Sequence, residues 1–227
     1  MLAEGRNCIP DNTWKLIESS DATLLGAITS KPLREAEAEL PEALRGRGKV
    51  YVSPVIQLRQ KLGLFANVRP VTDVLGDNRY RFSVIRENTE GLYAGWISPA
   101  FPRPSRRFSR SASATARPGP AGLDDATMTV RLQTRAGLTR LFRFAFEHAR
   151  EQGHDRVTLA DKPNVLRYSG AFARDILETV AADYPDIGFA IDNVDAVALW
   201  MVRRPERFGV VVAENMFATS SPTSVPA

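Results

Sequence analysis

RVTLADKPNVLRYSGAFARDILETVAADYPDIGFAIDNVDAVALWMVRRPERFGVVVAEN, residues 156–215, sets three short apolar runs between helical patterns. RVTLA (156–160), IGFAID (187–192) and FGVVVAEN (208–215) have strand length and β-branched or aromatic content. GAFARDILETVAADY (170–184) and AVALWMVRRP (196–205) carry apolar residues at helical spacing. A strand answered by a helix and then by another strand is the pattern of a layered α/β sheet with flanking helices. Working upstream, residues 134–152 form the clearest helix. Thr134 stands as its cap, Leu138, Leu141, Phe142, Ala145, Phe146 and Ala149 share one face, and Gly153 stops it. ATMTVRLQ (126–133), FANVRPV (65–71) and RYRFSVIREN (79–88) read as strands. SPVIQLRQKLGL (53–64) reads as a helix with Ser53 as cap and Pro54 at its first position. LREAEAEL (33–40) reads as a charged helical stretch, and ATLLGAI (22–28) as a buried strand.

Composition narrows the chemistry. Among the 227 residues, one cysteine, Cys8, forms no internal disulfide and no thiolate-rich zinc site. The histidines, His148 and His154, have no second ligand candidate beside them. No run reaches the roughly 18 apolar residues of a membrane helix, and MLAEGRNC lacks a secretory layout, so a cytoplasmic, membrane-free protein is expected. The net charge of +4 lies in one place: no acid stands between Glu90 and Asp124, where Arg103, Arg106, Arg107, Arg110 and Arg117 fall. That Ser/Pro/Arg-rich segment has the composition of a flexible excursion. A polyanion-binding arm is the alternative, and nucleic acid is not the expected partner.

Several polar side chains stand out from their surroundings. Lys162 directly follows the strand RVTLA, where open α/β sheets hold their ligands. A lysine there can accept a proton, although a solvated surface charge is the plainer reading. Arg59, Arg69 and Arg86 are set in apolar or structured segments, and buried guanidinium groups need anionic or multiple hydrogen-bonding partners. Three such forks suit a polycarboxylate. Local pairing, of Arg86 with Glu87 for example, is the structural alternative. Tyr93 could be a half-buried aromatic and Asp195 an N-cap.

SPVIQLRQKLGLFANVRPV, VIRENTEGLYAG, DKPNVLR, NVDAVALWMV and VVVAENMF, in that order, resemble the signature segments of the β-decarboxylating dehydrogenases: isocitrate, homoisocitrate and 3-isopropylmalate dehydrogenases. SSDATLLGAITSKP resembles the family's strand and loop beside the substrate and nicotinamide site, which marks Ile28 and Thr29. The likeness runs from about Asp21 to Phe217, interrupted from Trp96 to Gly122. It implies a partial isopropylmalate dehydrogenase-like α/β fold. The implied reaction is oxidative decarboxylation of a 2-hydroxy di- or tricarboxylic acid by NAD or NADP, with Mg2+ or Mn2+ at the hydroxyl and carboxylate. By this resemblance Arg59, Arg69 and Arg86 hold carboxylates and Ser53 and Asn164 adjoin the substrate. Lys162 is the base, Tyr93 the acid and Asp195 a metal ligand. Lys162 and Asp195 would serve a partner's site, which implies a homodimer. Val55 and Ile56 make an apolar turn where isocitrate enzymes carry an amide side chain, which favours an alkylmalate or homoisocitrate-like acid.

The resemblance also divides the chain. Residues 1–95 form part of the cofactor and substrate domain, 96–123 an insertion, 124–217 the substrate and dimerisation domain, and 218–227 a disordered tail. Ala218, Thr219 and Thr223 stand where the family continues with glycine and two metal-binding aspartates. The N-terminal strand and turn and the adenosine loop find no counterpart, so the expectation is a member truncated at both ends. A non-catalytic partner of a full-length relative and a polyanion-binding protein remain as alternatives.

Overall fold

The computed structural model describes residues 9–28, 33–45, 53–92 and 131–220. Its contacts divide into two compact units, Met1–Leu64 and Phe65–Ala227.

The first unit contains α1 (Asp11–Glu18), α2 (Leu33–Ala38), a 3-10 turn at Glu42–Leu44 and α3 (Pro54–Lys61). Pro54 opens α3 as expected, since its fixed φ suits the first helical position. The Ser53 side chain does not make the expected cap bond. Gly63 ends the segment at φ 63°, a left-handed conformation that glycine adopts without strain. Lys61 ties α3 to α1: its Nζ sits 3.9 Å from the buried Trp14 ring and 3.0 Å from Glu18 Oε1. Residues 22–28 correct the expected buried strand. They form no ladder, and Leu24, Leu25 and Ile28 are exposed. Apolar composition alone makes no strand where no neighbouring strand is offered.

The second unit follows the alternation read from the sequence. Its elements are β1 (Ala66–Thr72), β2 (Arg81–Glu87), α4 (Arg135–Glu151), β3 (Arg156–Asp161), α5 (Arg167–Ala181), β4 (Gly188–Asn193), α6 (Val194–Arg203) and β5 (Val210–Ala213). They build one five-stranded sheet in the order β1-β2-β5-β3-β4. Only β1, paired with β2, is antiparallel; β2, β5, β3 and β4 run the same way. Of the expected strand 126–133 only its end is described, as a single bridge between Leu132 and Gly91.

Alternation along the strands sorts side chains to two cores. Ile85, Val157, Leu159, Val210 and Val212 face α4 and α5, whose Leu141, Phe142, Phe146, Ile176 and Leu177 are buried against them. Phe82, Val84, Ala160, Val211 and Ala213 face the other way, with Val197 and Met201 of α6. Thr134 caps α4 as expected, accepting from the Gly137 amide. After β5 a 3-10 turn, Phe217–Ser220, buries Phe217 and Ala218 in the second core. Ala218, expected as the first residue of a disordered tail, is instead buried, and residues 221–227 lie outside the described residues.

Both histidines lie beside the first core. His148 Nε2 is 3.0 Å from Ser83 Oγ, and its ring stacks on Phe144. Burial pushes both histidines below the ordinary 6.5; Arg81 adds to this, against Glu151 at His148 and Asp155 at His154. An unfolded chain binds protons on these rings below about pH 6.5, which the folded chain resists until lower pH. Stability from this source is therefore complete above that value and is lost as pH falls towards the depressed folded values. Urea midpoints should drop between pH 7.5 and 5.5, and by less in a His148→Gln, His154→Gln double variant. An equal drop in both proteins would rule the histidines out as its source.

Candidate functional site

The parallel strands deliver polar side chains to their carboxyl ends, and the register fixes which face each one takes. Arg86 on β2 is level with Ala213 on β5, which is level with Ala160 on β3. Ala160 lies in the α6-side core, so Arg86 projects to that face, and Lys162, two residues beyond Ala160, follows it. In β1, Asn67 stands opposite Arg86 and Arg69 opposite Val84, which puts Arg69 on the same face. Arg69, Arg86 and Lys162 thus share one face and one end of the sheet, Lys162 two strands and roughly 10 Å along from Arg86.

Arg86 is buried at 6% exposure. Its Nε donates to the backbone oxygen of Asn215 at 2.9 Å and to Asn215 Oδ1 at 3.1 Å, and its Nη2 also donates to Oδ1. These bonds run to Asn215 across the sheet and not to Glu87. The Glu87 carboxylate instead accepts from the Thr89 amide and hydroxyl and from the Glu90 amide. Arg69 Nη1 donates to the Ala218 oxygen at 3.3 Å and its Nε to Asn67 Oδ1 at 3.2 Å. Both guanidinium groups therefore meet the segment 215–218.

Lys162 and Asp195 also come together, with Lys162 Nζ 2.6 Å from Asp195 Oδ2 and the aspartate side chain 68% exposed. Asp195 is not the expected N-cap. Asn193 holds that position, and Asp195 is the second residue of α6. Asn164 is exposed in the turn after Lys162, where the amides of Val165 and Leu166 donate to the Lys162 oxygen. Ser53 and Arg59 belong to the first unit, at the start and in the last turn of α3. Ile28 is exposed in the irregular stretch before α2. Tyr93 and Thr29 lie outside the described residues.

Sequence reasoning missed a second polar group at the same end. Glu214, directly after β5, is buried, and its Oε1 accepts from the amides of Met216 and Phe217. Burial raises its pKa above the usual carboxylate value, opposed by Arg131, whose Nη1 is 3.9 Å from Oε1. Glu214 Oε2, Arg131 Nη1, Glu87 Oε2 and Asn88 Oδ1 are buried without a hydrogen-bond partner among the described residues. The clue was the acid in VVVAEN, placed where a buried strand has only just ended.

Two guanidinium forks and an ammonium on one sheet edge can bind a dicarboxylate and move a proton. A divalent cation is another matter. Asp195 is a single carboxylate already held by Lys162, and Ala218 presents a buried methyl group. No three of His, Cys, Asp and Glu gather in a metal-binding group among the described residues. These residues do not fit a bound metal.

The comparisons agree with the fold. The family profile "Isocitrate/isopropylmalate dehydrogenase" matches residues 1–219, and the chain belongs to that family. It is 56% identical over 211 residues to Protein DlpA of Legionella pneumophila, covering 92% of this chain and 34% of that protein. The 3-isopropylmalate dehydrogenase of Archaeoglobus fulgidus is 32% identical, covering 92% of this chain and 52% of its own length. A crystal structure of isocitrate dehydrogenase from Methylococcus capsulatus superposes with a TM-score of 0.67 at 30% identity, over 92% of this chain and 53% of that one. The chain thus spans between a third and about half of the length of these relatives.

Burial separates the two parts of the edge energetically. Asp195→Asn should change stability by less than about 1 kcal/mol, because an exposed ion pair is screened. Arg86→Ala should cost about 2–3 kcal/mol by stranding the buried oxygens of Asn215. Urea unfolding of both variants checks the ranking, and equal losses would contradict it.

Proposed function

We propose that the chain serves the NAD(P)-dependent oxidative decarboxylation of a 3-substituted malate of the isopropylmalate, homoisocitrate or isocitrate type. The observation behind this reading is that Arg69 and Arg86 share one face at the carboxyl end of the sheet, with Lys162 on the same face two strands away, where the resemblance has it serve the partner's site. In this reading the two guanidinium groups orient substrate carboxylates, a role that the resemblance implies for Arg59 as well. Lys162 Nζ, released from Asp195 and in its neutral amine form, takes the hydroxyl proton, and Tyr93 returns a proton to carbon. The nicotinamide supplies the hydride acceptor when bound. Ser53 and Asn164 adjoin the substrate, and Ile28 and Thr29 the cofactor. The family works with Mg2+ or Mn2+, but no step is assigned to a metal on the residues described.

Purified protein with Mn2+, NAD or NADP and each candidate acid should form reduced cofactor, at a rate cut at least about a hundredfold by Lys162→Ala. Equal rates would remove the enzymatic reading.

The poor fit to a metal favours a second reading, a partner subunit that docks on a longer relative. Exposed apolar side chains support either a homodimer or such a pair. Leu199 and Val202 lie on α6, Phe189 on the outer strand β4, and Val165 and Tyr168 around the start of α5. Size exclusion should show a dimer that Leu199→Glu with Val202→Glu converts to monomer. Wild-type protein running as a monomer even with a co-expressed longer relative would exclude both assemblies.

A further inference from the structure

We propose that Asn215 is a positioning residue, which aims Arg86 and pins the loop leading to Tyr93 without touching substrate itself. The inference rests on the carboxylate-binding role proposed for Arg86. Asn215 is fully buried, and both ends of its side chain are used. Its Oδ1 and its backbone oxygen take the Arg86 fork, while Nδ2 donates to the Glu90 oxygen at 3.3 Å. The amide orientation is forced, because a guanidinium has only donors and the Glu90 carbonyl only accepts.

The loop is held on its other side as well. The Glu90 carboxylate accepts from the Thr134 amide and hydroxyl, and Gly91 bridges to Leu132. Gly91 has φ 80°, and a Cβ there would stand 3.2 Å from Asn215 Cβ and 2.6 Å from Glu214 Oε2. Backbone packs directly on the asparagine, and only glycine permits it. One amide therefore couples β5, the β2 arginine and residues 88–92, immediately ahead of Tyr93. Alanine at 215 removes the acceptor that fixes the guanidinium plane and the donor that fixes the loop, while leaving the backbone oxygen. Arg86 then keeps its charge and loses its direction.

The test uses the full chain labelled with 15N-arginine, the Arg86 guanidinium resonances being identified by their loss in Arg86→Lys. Val211→Ala, in the same core but away from the guanidinium, controls for lost stability. Hydrogen exchange of the Arg86 Nη2 protons, which lose the side-chain acceptor while Nε keeps the backbone oxygen, should accelerate about tenfold or more in Asn215→Ala relative to Val211→Ala. Malate, titrated as the probe acid, should bind wild type and Val211→Ala alike and Asn215→Ala about tenfold more weakly. Equal exchange in the two variants overturns the positioning role, as does unchanged malate affinity in Asn215→Ala. Wild type that binds no malate while its Nη2 protons stay protected overturns the carboxylate-binding reading, and with it the substrate part of this inference.

Discussion

The second unit depends on β5 being inserted between β2 and β3. Its residues Val210, Val211, Val212 and Ala213 are all buried, and their ladder joins an antiparallel pair on one side to a parallel pair on the other. Burying a valine side chain is worth about 1.5–3 kcal/mol, and three in a row supply cohesion to both cores. The same ladder is what makes a site. Arg86 and Lys162 lie about 76 residues apart in sequence. They share a face only because β5 pairs with both of their strands in one register. A slip of one residue would turn every side chain of one partner to the opposite face.

Much of this was legible in the sequence because its signals are local. Thr134 with Gly153, Pro54 with Gly63, and the runs at 156–160, 187–192 and 208–215 carry caps, breakers and apolar periods that need no knowledge of the rest. The order of the signature segments identified the family, which the profile match bears out. What failed was what depends on neighbours. ATLLGAI has the composition of a strand and lies exposed, since pairing needs an edge to pair with. Asn215 sits beside Glu214 in a segment quoted for its resemblance, yet its role follows from a contact with Arg86 that spans 129 residues. The pairing of Lys162 with Asp195 likewise rests on where β3 and β4 end, since those strands lie side by side with Asp161 level with Asn193.

The carboxyl end of the sheet concentrates groups that burial makes expensive. Arg86 meets the neutral oxygens of Asn215, whereas Glu214 keeps one oxygen without a partner among the described residues and titrates upward. Its neutral form is therefore favoured by the fold, and its contribution to stability weakens as pH rises through the elevated value. The half-buried histidines respond in the opposite sense. The two contributions therefore change with pH in opposite directions and partly offset each other: the polar edge loses stability as pH rises, and the histidine flank loses it as pH falls.

The sheet has two outer strands, and they are guarded unequally. Pro70 lies within β1, which borders β2 on one side only, so the outward row lacks one amide donor, and Arg69 beside it carries charge. A second chain attempting to extend the sheet there meets a gap in the ladder and a cation, two devices that discourage fibrous stacking. The opposite border, β4, has neither proline nor lysine among its six residues and exposes Phe189. Unwanted polymerisation, where this protein is overproduced or partly unfolded, should begin from that border.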